Sequence, residues 1–111
     1  MQVQDIIKIL NLEVFGGSGG LNREISGGYT SDLLSDVMGH AECGNIWITL
    51  QTHKNVIAIA SLKELAAVIL IKGNIPDADI LEHAENEGIP VLGSKEEAFE
   101  LTGKLFNLLT R

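Results

Sequence analysis

Ile46-Trp47-Ile48-Thr49-Leu50-Gln51-Thr52-His53-Lys54-Asn55 decides how this chain is read. Its first half is a continuous apolar and β-branched run, the pattern of a strand buried on both faces. It then stops abruptly in polar residues. A second run, Ala67-Val68-Ile69-Leu70-Ile71, follows one helix later and stops at Lys72-Gly73-Asn74. Two such strands separated by a helix indicate a parallel α/β sheet. In such sheets the loops leaving neighbouring strand ends form the crevice where ligands bind.

Working outward, the same alternation continues. Downstream, Thr52 or His53 opens a helix to about Leu65. Pro76 and Asp77 precede a helix with Ile80, Leu81 and Ala84 on one face, ending at Gly88. Pro90-Val91-Leu92 reads as a short strand. Ser94-Lys95-Glu96-Glu97 fits a capping box, with Ser94 as N-cap and Glu97 reaching back. The last helix then buries Ala98, Leu101, Thr102, Leu105, Leu108 and Leu109. Upstream, Ile6, Ile7 and Leu10 have helical spacing, and Glu13-Val14-Phe15 suits a short strand. Gly16-Gly17-Ser18-Gly19-Gly20 reads as a flexible turn. It is no P-loop, because Leu21-Asn22 stands where Lys and Ser or Thr are needed. Ile25 to Thr30 is a strand or extended loop. Ser31 to Met38 is a helix, with Ser31 as N-cap and Gly39 as its stop. Strand–helix repeats of this kind predict βαβ units with right-handed crossovers. The expectation is one α/β domain over residues 1–111.

Composition narrows the class. The chain has 111 residues, 45% of them hydrophobic, enough for a single core. Aromatic residues are 5%, so aliphatic side chains must build that core. A net charge of −7 disfavours a nucleic-acid or anionic-membrane partner, since phosphate contacts need clustered Lys and Arg. Cys43 is the single cysteine, which excludes an internal disulfide and suits a cytoplasmic setting. Nothing reads as a signal peptide or membrane span. The segment 54–65 is apolar nearly all round, with only Ser61, Lys63 and Glu64 clearly polar. Either the domain wraps it or a second subunit covers it, and a homodimer is expected.

Gly27-Gly28-Tyr29, Ser31 to Met38 and Trp47 to Asn55, in this spacing, resemble the stand-alone DRTGG-domain proteins. The similarity runs over almost the whole chain, to Gly88-Ile89-Pro90-Val91-Leu92 and the last helix. The name-giving residues are absent; Thr52-His53 and Ile71-Lys72-Gly73 stand nearest their places. The resemblance implies a three-layer α/β/α sandwich with a mainly parallel sheet, similar to the N-terminal domain of HPr kinase/phosphorylase. Related modules accompany CBS domains in regulatory pyrophosphatases and precede the catalytic domain of some phosphotransacetylases, often at a subunit interface. A serine-kinase activity is not supported, because no Gly-x-x-x-x-Gly-Lys-Ser/Thr occurs in the chain.

The candidate ligand-binding set is Tyr29, Ser31, Asp32, Thr49, Gln51, Thr52, His53, Asn55, Lys72, Gly73 and Asn74. Hydroxyl, amide and imidazole groups near a helix N-terminus suit an anion. His53 has no nucleophile partner in sequence, so no catalytic residue is assigned. Asp32 and Asp36, spaced i, i+4, are too few ligands for Mg²⁺, and His40 and Cys43 too few for zinc. No metal or cofactor is expected. The function read is a non-catalytic regulatory module that senses a nucleotide or phosphorylated metabolite. The alternatives are a protein-interaction scaffold, or an enzyme acting on a phosphorylated substrate through His53.

Overall fold

Strand β3 (Asn45–Thr49) is buried at every residue, and the architecture follows from that. In the computed structural model, which describes residues 1–110, β3 lies between β2 (Gly27–Thr30) and β4 (Ala67–Leu70), parallel to both. Next to β4 comes β5 (Val91–Gly93), also parallel, and beyond it β1 (Glu13–Gly16), antiparallel. The order is β1-β5-β4-β3-β2. Five helices complete the mixed α/β fold: α1 (Val3–Ile9), α2 (Leu34–His40), α3 (Asn55–Leu62), α4 (Ala78–Glu87) and α5 (Ala98–Leu109).

Successive strand residues point to opposite faces, so a strand apolar throughout feeds two cores. Trp47, Val68, Leu70 and Val91 join one cluster with Val37 of α2, Ile57 and Ala60 of α3, and Ile80 and Ala84 of α4. Ile46, Ile48, Ala67, Ile69 and Leu92 join the other with Val3 and Ile6 of α1 and Leu101, Leu105 and Leu108 of α5. Parallel neighbours in chain order, joined by crossovers of one hand, put α2, α3 and α4 together on one face. The chain then changes sides after β5.

This packing explains the apolar segment 54–65. Helix α3 sits between α2 and α4 and buries Val56, Ile57, Ile59 and Ala60 in its own domain. Only Ala58 and Leu62 of its apolar residues stay exposed. The domain itself therefore covers this helix, and the sequence argument for a second subunit there falls away.

Local start and stop signals were less reliable than periodicity. Helix α5 begins at Ala98, and Ser94 accepts a hydrogen bond from the Glu96 amide (3.1 Å) in a local turn instead of capping with Glu97. Helix α2 begins at Leu34, so Ser31 is not its N-cap; the Ser31 hydroxyl accepts from the Leu33 amide (3.2 Å). Gly39 does not stop α2, which runs to His40 because Ala41 N–H still reaches the Val37 carbonyl. Gly88, by contrast, ends α4 in the left-handed region, as read.

The glycine run is packed, not slack. Gly17 is left-handed (φ 74°), and a β-carbon there would lie 1.9 Å from the Ile89 carbonyl oxygen. Gly17 N–H donates to Glu85 (2.7 Å) and Arg23 Nε donates to the Gly88 carbonyl (3.1 Å). The run thus clamps the turn entering β5. Gly17→Ala is expected to destabilise the fold by about 1–3 kcal/mol through overpacking alone, plus left-handed strain. Gly19→Ala, which meets open space, should stay within about 0.5 kcal/mol. Urea unfolding of the two variants checks the contrast.

Candidate functional site

The carboxyl ends of the four parallel strands form one surface, and the structure divides it in two. Over β2 and β3 the polar side chains hold loops together. Asp32 accepts from the Thr49 hydroxyl (2.9 Å) and the Leu50 amide (2.7 Å). Gln51 Nε2 donates to the Asp32 carbonyl (2.8 Å), and its amide donates to Thr49 (3.0 Å). Buried Trp47 needs an acceptor for its indole N–H and finds the Ser31 carbonyl (2.8 Å). Ser31, Asp32, Thr49 and Gln51 are therefore brought together, as a brace between the β2–α2 and β3–α3 loops, while Tyr29 on β2 turns to Asp36 of α2.

His53 Nδ1 accepts from the Asn55 amide (3.1 Å) at the start of α3. Thr52 is half-buried beside it; His53 and Asn55 are exposed. Lys72, Gly73 and Asn74 are on the β4–α4 loop. Lys72 N–H donates to the Glu96 carbonyl and Gly73 N–H to the Ser94 carbonyl, both at 2.9 Å. This loop is stitched to the β5–α5 loop.

Asp32 and Asp36 do not share a helix face, because α2 starts after Asp32. Asp36 instead accepts from the Tyr29 hydroxyl at 3.0 and 2.9 Å and pairs with His40 at 3.2 Å. The Ser31 and Tyr29 hydroxyls hold the Asp36 carboxyl below its ordinary 3.8, with His40 adding to this and desolvation opposing it. Desolvation first, then the Asp36 carboxylate, pushes the Tyr29 phenol above 10.0. Cys43 Sγ lies 3.7 Å from Glu64, away from His40. Among the described residues no group of three His, Cys, Asp or Glu is placed to hold a metal ion, and no helix is long and apolar enough to cross a membrane.

Over β4 and β5 the surface opens into a cavity of about 630 Å³. Its walls are Leu10 to Glu13 and Phe15 at the α1–β1 turn, Gly73 to Ile75 after β4, and Gly93 to Glu96 after β5, with Lys104 of α5. The cause is topological. Helices α3 and α4 follow β3 and β4 onto one face, whereas α5 follows β5 onto the other. The helices after β4 and β5 thus leave towards opposite faces, while the two loops stay hydrogen-bonded to each other through the Lys72 and Gly73 amides, and such a switch leaves a crevice at the strand ends. The antiparallel β1 closes the third side. Gly93 makes room, since a β-carbon there would meet the Phe15 ring at 2.4 Å. Of the expected set, only Gly73 and Asn74 line this cavity. The sequence reading missed its other walls by stopping at two strand ends. The third apolar run also breaks into polar residues, Gly93-Ser94-Lys95-Glu96, and that was the available signal.

Among solved structures, the chain is similar to the CBS and DRTGG domains of the regulatory region of Clostridium perfringens pyrophosphatase, complexed with its activator diadenosine tetraphosphate. The TM-score is 0.68 over 95% of this chain, at 16% identity. The fold is DRTGG-like. The chain spans 45% of that pyrophosphatase chain. No family model matches the sequence, and no curated protein matches it.

The Asp36 cluster gives a pH prediction. A carboxyl whose folded pKa is depressed contributes stability that is present above its unfolded value and lost as pH falls through the folded one. The Asp36 contribution is thus complete above about pH 5 and disappears under stronger acid. A ¹³C NMR titration should place the Asp36 carboxyl below 3.8, and Tyr29→Phe should raise it; an unshifted wild-type carboxyl would refute the assignment.

Proposed function

We propose that this protein is a non-catalytic regulatory module that senses a nucleotide or other phosphorylated metabolite at the carboxyl end of its sheet. The observation that carries the reading is the crevice at the carboxyl ends of β4 and β5, the position at which α/β sheets take ligands. The brace supports the non-catalytic part. Asp32 is committed to holding Thr49 and Leu50, and His53 Nδ1 to the Asn55 amide. Neither presents an acid–base pair to a nucleophile.

Likeness of fold to a regulatory region whose activator is a nucleotide is in keeping with this, although fold alone does not carry function. The kinship with the N-terminal domain of HPr kinase/phosphorylase, the three-layer arrangement, a cytoplasmic setting and a homodimer belong to the same proposal. The sequence-derived residues Thr52, His53 and Asn55 remain ligand candidates beside the crevice.

A second reading, an interaction scaffold, is favoured by one feature. Strand β2 is an open sheet edge, and a groove of about 410 Å³ lies between it and α5, lined by Gly27, Gly28, Leu105, Phe106 and Leu109. Phe106 is 65% exposed there, and an unguarded edge invites a further strand.

Thermal-shift titration with adenine and guanine nucleotides, diadenosine tetraphosphate and sugar phosphates separates the two. A ligand at about 100 times its Kd stabilises by roughly 2.7 kcal/mol, a rise of several degrees for a domain of this size. Absence of any shift, with a protein captured through the β2 groove, would favour the scaffold.

A further inference from the structure

The crevice has a chemical character that narrows its ligand. The chain carries 8 Lys and Arg against 15 Asp and Glu, yet two amines, Lys95 and Lys104, line this one cavity. Lys95 has no ion-pair partner among the described residues. Lys104 is paired with Glu96, and that pair ties α5 to the β5–α5 loop. The pair is accessible, with Lys104 57% and Glu96 29% exposed, so it is weak and exchangeable. The lining also carries apolar side chains, Leu10 and Phe15 from the α1–β1 side and Ile75 from the β4–α4 loop, and Ile75 is 73% exposed. Such exposure of a large aliphatic side chain on a cavity rim is what a flat ring would cover.

Resting on the ligand-sensing reading above, we propose that the crevice binds a nucleoside polyphosphate whose phosphates take Lys104 from Glu96 while its base lies against Ile75. The phosphate group offers Lys104 more negative charge than a single carboxylate does. Glu13, exposed on the far wall, and Glu96 both oppose an unpaired anion, so Lys95 and Lys104 must supply the attraction together. Ligand entry releases the tie between Lys104 and the loop that also holds the Lys72 amide. The bound state is thereby relayed to α5, whose outer face carries Phe99 and Phe106. Glu96 acts as a resident competitor for the phosphate subsite.

This gives a test with opposite signs. ATP and inorganic tripolyphosphate are titrated calorimetrically into the full chain, with the fold of each variant verified by its melting profile. Lys104→Ala should weaken ATP at least about tenfold. Glu96→Gln should tighten it, because the competing carboxylate is gone. Ile75→Ser should weaken ATP and leave tripolyphosphate unchanged. If ATP binds wild type but is indifferent to Lys104→Ala and Glu96→Gln, the inference is overturned and the sensing reading stands. The same holds if another ligand class binds and ATP does not. If no nucleotide, diadenosine tetraphosphate or sugar phosphate binds, both fall.

Discussion

Burial of β3 on both faces is the constraint from which the rest of this structure follows. A strand with no exposed residue must be sandwiched by neighbours in the sheet and covered above and below. Trp47 fixes the details on one side. Its indole is too large to bury without an acceptor for its N–H, and the Ser31 carbonyl provides one at 2.8 Å. That bond draws the β2–α2 loop across the end of β3. Asp32 then reaches Thr49 and Leu50, and Gln51 reaches back. A single buried polar atom thus sets the path of two loops.

The same brace shapes where the strand-end surface opens. Groups that stabilise a loop by mutual hydrogen bonds are not free to turn towards a ligand without losing those bonds. The β2–β3 half of the strand-end surface is therefore structural in character. The β4–β5 half differs because α4 and α5 lie on opposite faces of the sheet. Their loops, hydrogen-bonded to each other, border a cavity to which the antiparallel β1 adds a further wall, and Gly93 gives way to the Phe15 ring. At the other end of the sheet, the tightly packed Gly17 and Gly20, with Arg23, hold the entry to β5. The strand bordering the crevice is thus anchored at its start and open at its end.

Two surfaces on this domain face α5 from different sides. The crevice reaches it through Lys104, and the β2 groove through Leu105, Phe106 and Leu109. Thr30 and Thr102 share a hydrogen bond of 2.8 Å at that groove. Helix α5 is thus held on one side by an exposed ion pair and borders an open sheet edge on the other.

The sequence by itself determined the alternation of strands and helices, the parallel core and the covered face of α5. Ile46–Thr49 and Ala67–Leu70 are apolar on both faces, and Leu101, Leu105 and Leu108 recur at helical spacing; such periodicities survive any detail of packing. Capping was less legible. Ser31 and Ser94 are hydroxyls able to bond several nearby amides, and tertiary context chose the nearer ones. The apolar α3 was ambiguous for the same reason, since only three-dimensional neighbours show whether α2 and α4 or a second chain covers it. The site was half legible. The strand-end rule pointed to the edge of the sheet at which the cavity opens. Which pair of loops opens there depends on the face each crossover takes and on β1 joining β5, pairings between residues far apart in sequence. Only the tertiary structure decided those, because no local pattern records on which side of a sheet a helix lands.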